Sequence, residues 1–145
     1  MSTNKHNVLD PSAIPQVGLE SMNETHREEV ELINQLGSLL DQEIQRHVDE
    51  TSITKTLHTW VEHTRLHFTR ENELMQKYGF PALAVHSNEH SQEFARIEEL
   101  EQQWYEKKEI EPLADYIFNL WPRWFDNHVR TMDNVTAQFL SQVID

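Results

Sequence analysis

Histidines and carboxylates at helical spacing are the residues of this sequence most suited to chemistry. The 145-residue chain has nine histidines and no cysteine, and histidine is the commonest metal ligand in proteins. His67 and Glu71 are four residues apart, as are His86 and His90, so each pair shares one face of a helix. The spacing predicts that each pair presents two ligands toward one point.

Three more such residues, His26, His128 and Asp133, fall on apolar stripes of the predicted helices. A single histidine in a core is more often a hydrogen-bonded structural residue than a ligand. Burying five imidazoles and two carboxylates is costly unless they share a partner. Two metal ions would satisfy the set, because imidazole suits iron, zinc, copper or nickel and carboxylates can bridge two ions.

The carboxylate-rich di-iron bundles place a Glu-x-x-His motif on each of two helices. No glutamate in this chain is followed three residues later by a histidine. The predicted site is therefore rich in histidine, which favours an iron pair with several neutral ligands.

Four segments with apolar residues at steps of three and four predict four long helices. Ser21 and Glu24 have capping-box spacing at the start of the first, and Pro122 is expected to kink or split the last. Short connectors predict an all-α, antiparallel, up-down-up-down four-helix bundle. The sequence is expected to divide into an irregular N-terminal arm over 1–20 and a bundle domain over 21–145. The four helices are predicted at about 22–47, 52–78, 82–107 and 112–142.

The composition excludes several classes of function. Twelve basic and 25 acidic residues give a net charge of −13, which argues against nucleic-acid or anionic-membrane partners. Without cysteine there are no disulfides or iron–sulfur clusters. No apolar run is long enough for a transmembrane helix or a secretory signal, so a cytoplasmic location is the expectation.

The candidate residues occur in motifs that resemble those of a known family. The segment 17–26 leads into His26; His67-Phe68-x-x-Glu71 and His86-x-x-x-His90 follow; Trp124-x-x-x-His128-x-x-x-x-Asp133 comes last. Together and in this order they resemble the hemerythrins, and more closely the bacterial hemerythrins. The resemblance covers about residues 14–142.

This resemblance implies two non-haem iron ions per chain, joined by an oxo or hydroxo bridge, with dioxygen as the ligand. His86, His90 and His128 would hold one iron, and His26 and His67 the other, which keeps an open position. Glu71 and Asp133 would bridge the pair. Phe68, Trp124, Phe125 and Val129 are the candidate residues of a dry oxygen pocket, although ordinary core packing explains each equally well.

Glu29 departs from the family pattern, which usually has a bulky aliphatic residue three positions after the first ligand. Its place on the same helix face as His26 makes it a candidate extra ligand at the open iron, unless its side chain leans out to solvent. The expected function is oxygen binding, for storage, delivery or sensing, rather than catalysis. The alternative is a di-iron redox enzyme, a peroxidase or a scavenger of nitric oxide or peroxide, in which Glu29 modifies the open site. The physiological partner stays open.

Overall fold

The computed structural model describes residues 7–46 and 50–144, with the side chains of 44–46 left out. Its first three long helices are α1 (Glu20–Arg46), α2 (Glu50–Lys77) and α3 (Leu83–Lys107). A fourth helical rod spans 110–143, and the described residues contain no strand. The prediction of an antiparallel, up-down-up-down four-helix bundle is confirmed. The predicted end of the first helix at 47 and residues 1–6 of the arm lie outside the described residues.

The fourth rod combines three α-helical pieces, α4 (Ile110–Asp115), α5 (Trp121–His128) and α6 (Asn134–Val143). Two π-helical turns, Tyr116–Leu120 and Val129–Asp133, join them. The first π turn ends just before Pro122, and the Trp121 N–H reaches the Tyr116 carbonyl, five residues back. The expected disruption at Pro122 thus takes the form of a widened turn, because proline has no N–H to offer the helix.

The predicted capping box at Ser21 is wrong. α1 begins at Glu20, so Ser21 lies inside the helix and its carbonyl accepts a hydrogen bond from the Thr25 hydroxyl. Asn23 instead ties the helix to the preceding chain: its Oδ1 accepts from the Val17 N–H at 2.9 Å, and its amide donates to the Val17 carbonyl at 2.9 Å. The Asn23 side chain, in the first turn of α1, therefore ties the arm to the start of the helix. Ser21 does not cap the helix as expected.

The main apolar core lies toward one end of the bundle. It joins the second half of α1, the first half of α2, the second half of α3 and the start of the fourth rod, as antiparallel neighbours require. Its largest fully buried side chains include Leu36, Leu40, Trp60, Trp104 and Trp121. The opposite halves of the same helices bring the polar candidate residues together.

Candidate metal centre

Each of the four helical rods contributes a buried histidine to one cluster. The ligand candidates lie early in α1 and α3 and late in α2 and the fourth rod, so the antiparallel order brings them to one level. All are at most 4% exposed. The set consists of His26 from α1, His67 and Glu71 from α2, His86 and His90 from α3, and His128 and Asp133 from the fourth rod.

Three imidazole nitrogens converge at one side of this cluster. The Nε2 atoms of His86 and His90 each lie 3.2 Å from the Nε2 atom of His128. Two nitrogens bound at right angles to one ion, with bonds of about 2.1 Å, would be about 3 Å apart. The three Nε2 atoms are therefore spaced as ligands of a single ion.

The carboxylates of Glu71 and Asp133 lie between two groups of histidines. The first group is the three just described, and the second is His26 and His67. Asp133 Oδ2 is 2.9 Å from His26 Nε2, while its Oδ1 is 3.2 Å from His86 Nε2. Glu71 Oε2 is 2.8 Å from His67 Nε2, and its Oε1 is 3.3 Å from His90 Nε2. Each carboxylate thus directs one oxygen toward each group of histidines, which is how a carboxylate bridges two cations.

Several of these buried atoms have no hydrogen-bond partner among the described residues. They are both ring nitrogens of His26, Glu71 Oε1 and both carboxylate oxygens of Asp133. The short distance between His26 Nε2 and Asp133 Oδ2 lacks the angles of a hydrogen bond, so proximity alone does not satisfy these groups. Buried polar atoms without partners are rare because each is costly. Cations held by nitrogen and oxygen ligands would remove that cost, so the residues present fit metal ions.

A family profile described as the hemerythrin HHE cation binding domain matches residues 17–140. The chain belongs to the hemerythrin family. Its resemblance to the bacterial members is also confirmed. A bacteriohemerythrin of Aquifex aeolicus is 30% identical over 137 residues, which is 92% of this chain and 98% of the relative. One of Stenotrophomonas maltophilia is 27% identical over 126 residues, covering 83% and 74% of the two chains.

The comparison with solved structures gives no match. None of the described helices combines the length and apolar character needed to cross a lipid bilayer.

The hemerythrin ligand candidates perturb one another's ionisation. Burial and the charge of Asp133 raise the pKa of Glu71, but contacts with His67 and His90 lower it more, and the net shift is downward. Burial lowers the pKa of His90 to about 4. Burial also lowers the pKa of His128, but Asp133 and Glu89 outweigh this and raise it to about 9. Charged carboxylates and neutral imidazoles are the forms that bind metal, so a cation would displace the proton from His128.

Four of the five cluster histidines have a hydrogen-bond partner at Nδ1, the nitrogen turned away from the cluster. These partners fix the ring orientation and leave Nε2 free to bind metal. For three rings they are Thr136 on His86 (2.7 Å), Asn72 on His90 (2.9 Å) and Glu89 on His128 (2.6 Å). Sequence reasoning missed these partners, because only the packing of helices against one another shows which polar residue faces which ring.

A small cavity of about 10 Å³ borders the cluster, on the order of the space for one water-sized molecule. Three of the expected pocket residues, Phe68, Trp124 and Phe125, line it together with Trp121, which sequence reasoning did not select. Val129 is fully buried in the apolar core and does not line this cavity. The remaining lining residues are Glu29, His67, His128 and Asp133.

Aromatic rings also cover two of the histidines directly. Phe68 stacks on His90 with ring centroids 4.1 Å apart, and Trp124 stacks on His128 at 4.5 Å. These rings keep water from the outer faces of both imidazoles.

Glu29 is buried, at 2% exposure, so it does not lean out to solvent. Its carboxylate contacts three side chains of α2, including His63, a histidine that the sequence analysis did not place in the site. No oxygen of Glu29 belongs to either group of converging ligand atoms found among the described residues.

Proposed function

We propose that this hemerythrin is a non-haem di-iron protein that binds dioxygen. The observation that carries the proposal is the sharing of Glu71 and Asp133 between two groups of histidines. His86, His90 and His128 would hold one iron, and His26 and His67 the other, with an oxo or hydroxo group completing the bridge. When bound, the iron pair supplies the electrons for reversible dioxygen binding.

The difference in ligand number between the two groups supports an open position. The first iron would have three histidines and the second only two, and both would share the carboxylates. The small cavity is lined by one histidine of each group, His67 and His128, and by the shared Asp133. It therefore lies where the two groups meet, and a diatomic molecule in it would reach the open position beside His67.

The residues around this cavity would protect the bound state. Phe68, Trp121 and Phe125 are at most 6% exposed and offer no acidic proton. They exclude water from the cavity, which keeps outside proton donors away from the bound oxygen. Storage, delivery and sensing of oxygen all require this environment. A cytoplasmic location, expected from the sequence, stays a prediction.

The alternative of a redox enzyme depended on Glu29 modifying the open iron site, either as a ligand of the iron or as a partner of what binds there. The contacts of Glu29 with α2 and its position outside the converging ligand atoms do not supply such a ligand. Oxygen binding without turnover is therefore the function that the site supports best.

Loading the protein with Fe(II) under nitrogen and counting iron per chain tests the proposal. We expect two irons, and a visible absorption band that appears when dioxygen is admitted and disappears when it is pumped off. Zinc-loaded protein is the control, because zinc fills the same ligands without redox chemistry. Fewer than two irons would contradict the di-iron centre. Two irons that oxidise at once, without a reversible band, would contradict oxygen carriage and favour the enzyme.

A further inference from the structure

Glu29 lies one turn after His26 on α1, and its carboxylate is held by α2. One oxygen, Oε1, is 2.6 Å from His63 Nδ1 and 3.4 Å from His67 Nδ1. The other, Oε2, accepts a short hydrogen bond from the Thr64 hydroxyl. His63 and Thr64 lie on one turn of α2 and His67 on the next, so three partners fix the carboxylate in one place.

The two nitrogens of His67 face different carboxylates. Nε2 lies 2.8 Å from Glu71 Oε2, inside the cluster, whereas Nδ1 faces Glu29. Since the two ring nitrogens of an imidazole point in divergent directions, Glu29 stands behind the ring as seen from the cluster. A carboxylate accepts hydrogen bonds and does not donate them, so the contact with Glu29 requires a proton on Nδ1. The contact with Glu71 likewise places a proton on Nε2 in the metal-free protein, and a bound metal would take the place of that proton.

We propose that Glu29 is a positioning residue of the metal centre, which holds the Nδ1–H of His67 and thereby aims His67 Nε2 at the iron with the open position. This inference rests on the proposed function, because it assigns a role toward a bound metal. Glu29 then acts through His67 and is not itself a ligand.

His63 explains how a carboxylate can occupy this buried place. Its Nδ1 contacts Glu29, and its Nε2 lies 3.2 Å from Glu28 Oε1, which is on the exposed surface of α1. Both partners are acceptors, so the geometry favours a proton on each ring nitrogen and a positive charge on His63. That charge balances Glu29 without using any ligand of the cluster. The hydrogen bond that His63 donates to Glu29 also raises the pKa of His63.

A second carboxylate in the cluster allows a matched comparison. Glu89 holds His128 Nδ1 at 2.6 Å, on the side of the three-histidine group. Loss of an outer partner of a metal-binding histidine typically weakens metal binding by about 10–100-fold. Replacement of Glu29 should therefore weaken the binding of the ion held by His67. Replacement of Glu89 should weaken the binding of the ion held by His128.

Zinc binding measured against a competing chelator tests the inference on the whole chain. We expect the unsubstituted protein to bind two zinc ions. Glu29→Leu should weaken one of them by about 10–100-fold and leave the other within about twofold. Glu29→Gln keeps an acceptor oxygen and should restore part of the affinity, and it serves as the second variant if the leucine variant folds poorly. Glu28→Gln, at an exposed residue that contacts only His63 among these groups, is the control.

The ring N–H signals of ¹⁵N-histidine-labelled, zinc-loaded protein provide a readout that a merely structural role would not move. We expect a protected Nδ1–H signal from His67 that weakens through solvent exchange in Glu29→Leu and persists in Glu28→Gln. The inference is overturned if Glu29→Leu keeps both affinities and the signal. It is also overturned if the Nδ1–H of His67 exchanges with solvent as fast in the unsubstituted protein as in Glu29→Leu, because Glu29 would then not be holding that proton. Failure of the unsubstituted protein to bind two ions would instead refute the proposed function.

Discussion

The imidazole of His128 and the carboxylate of Asp133 meet at 3.3 Å, between Nε2 and Oδ1, although five residues separate them. In a regular α-helix, five residues turn the chain by about 500°, which leaves the two side chains about 140° apart. The π-helical turn Val129–Asp133 closes this difference, because each of its hydrogen bonds spans five residues. The widened turn is therefore what brings Asp133 to the candidate metal centre.

Deletion of Thr131, an exposed residue inside this π turn, should be tolerated. His128 and Asp133 would then be four residues apart, and a regular α-helical turn puts such residues on one face. We expect zinc stoichiometry to stay at two, and the free energy of unfolding to change by no more than about 1 kcal/mol. Chelator competition and chemical denaturation would measure these quantities.

Deletion of Asn127, which is also exposed but lies in the α-helical piece before His128, is the matched control. It rotates Trp124 and all preceding residues by about 100° relative to His128. We expect this variant to lose at least one zinc ion. Equal losses in the two deletions would contradict the role given to the π turn.

Removal of the metal should destabilise the bundle, because it leaves buried polar atoms of His26, Glu71 and Asp133 without partners. A ligand present at 100 times its Kd stabilises the folded state by about 2.7 kcal/mol. We therefore expect the thermal midpoint to fall by several degrees when a chelator is added to the zinc-loaded protein. A midpoint that does not respond to the chelator would argue against a structural contribution from metal.

Replacement of His86 by alanine should lower the bound zinc from two ions to one, because its Nε2 lies among the three converging nitrogens. His58→Ala is the control. His58 is on the same bundle, but its side chain is 58% exposed and contacts Glu101. Metal analysis after gel filtration would compare the variants. Equal zinc in both would remove His86 from the ligand set.

Much of the fold could be predicted because apolar periodicity is a local property of the sequence. The predicted starts and ends of α2 and α3 agree with the structure to within two residues. Gly79, two residues after the end of α2, has φ of +69°, the left-handed conformation in which a glycine commonly ends a helix. The π turns could not be predicted in this way, because the sequence pattern was interpreted with the 3.6-residue period alone, and the widened turns depart from it.

Within the site, too, features of one helix could be predicted from the sequence, and contacts between helices could not. The ligand candidates share helix faces, which spacing along one helix can show. Each of the four Nδ1 partners belongs to a different helix from its ring: Glu29 for His67, Thr136 for His86, Asn72 for His90 and Glu89 for His128. Such contacts depend on the rotation of one helix against its neighbour, so the sequence could place Glu29 on the helix face of His26 but could not show what it contacts.

The N-terminal arm depends on one side chain for much of its attachment. Asn34 Oδ1 accepts from the N–H groups of Val8 (2.8 Å) and Leu9 (3.0 Å), and its amide donates to the Leu9 carbonyl (2.9 Å). We expect Asn34→Ala to lower the free energy of unfolding by about 1–3 kcal/mol, at about 1 kcal/mol per hydrogen bond. Chemical denaturation would measure it.

Hydrogen exchange at the Val8 and Leu9 amides should accelerate in Asn34→Ala, since both lose their acceptor. Asn119→Ala is the control, because Asn119 is exposed and its amide bonds only to Asp115, one turn away. We expect that variant to stay within about 0.5 kcal/mol of the unsubstituted protein. Unchanged exchange at Val8 and Leu9 would contradict the anchoring role of Asn34.

Glu93 is a buried carboxylate of α3 outside the ligand set. The Tyr116 hydroxyl donates to its Oε2, and Arg96 Nε lies 3.7 Å from its Oε1. Burial raises the pKa of Glu93 above 4.5, and the like charge of Glu89 raises it further. The hydrogen bond from Tyr116 and the charges of Arg96 and His128 lower this pKa, but by less. The folded state therefore binds this proton more tightly than the unfolded state does.

A raised pKa in the folded state contributes stability that is fully present below 4.5, the unfolded value, and is lost as the pH rises through the folded value. Glu93→Gln keeps the acceptor for Tyr116 but cannot ionise. We expect its free energy of unfolding, relative to the unsubstituted metal-free protein, to rise from pH 5 to pH 8. Denaturation at both pH values would measure it, with Glu99→Gln, at an exposed position of the same helix, as the control. A difference that stays constant with pH would show that the charge on Glu93 costs the fold nothing.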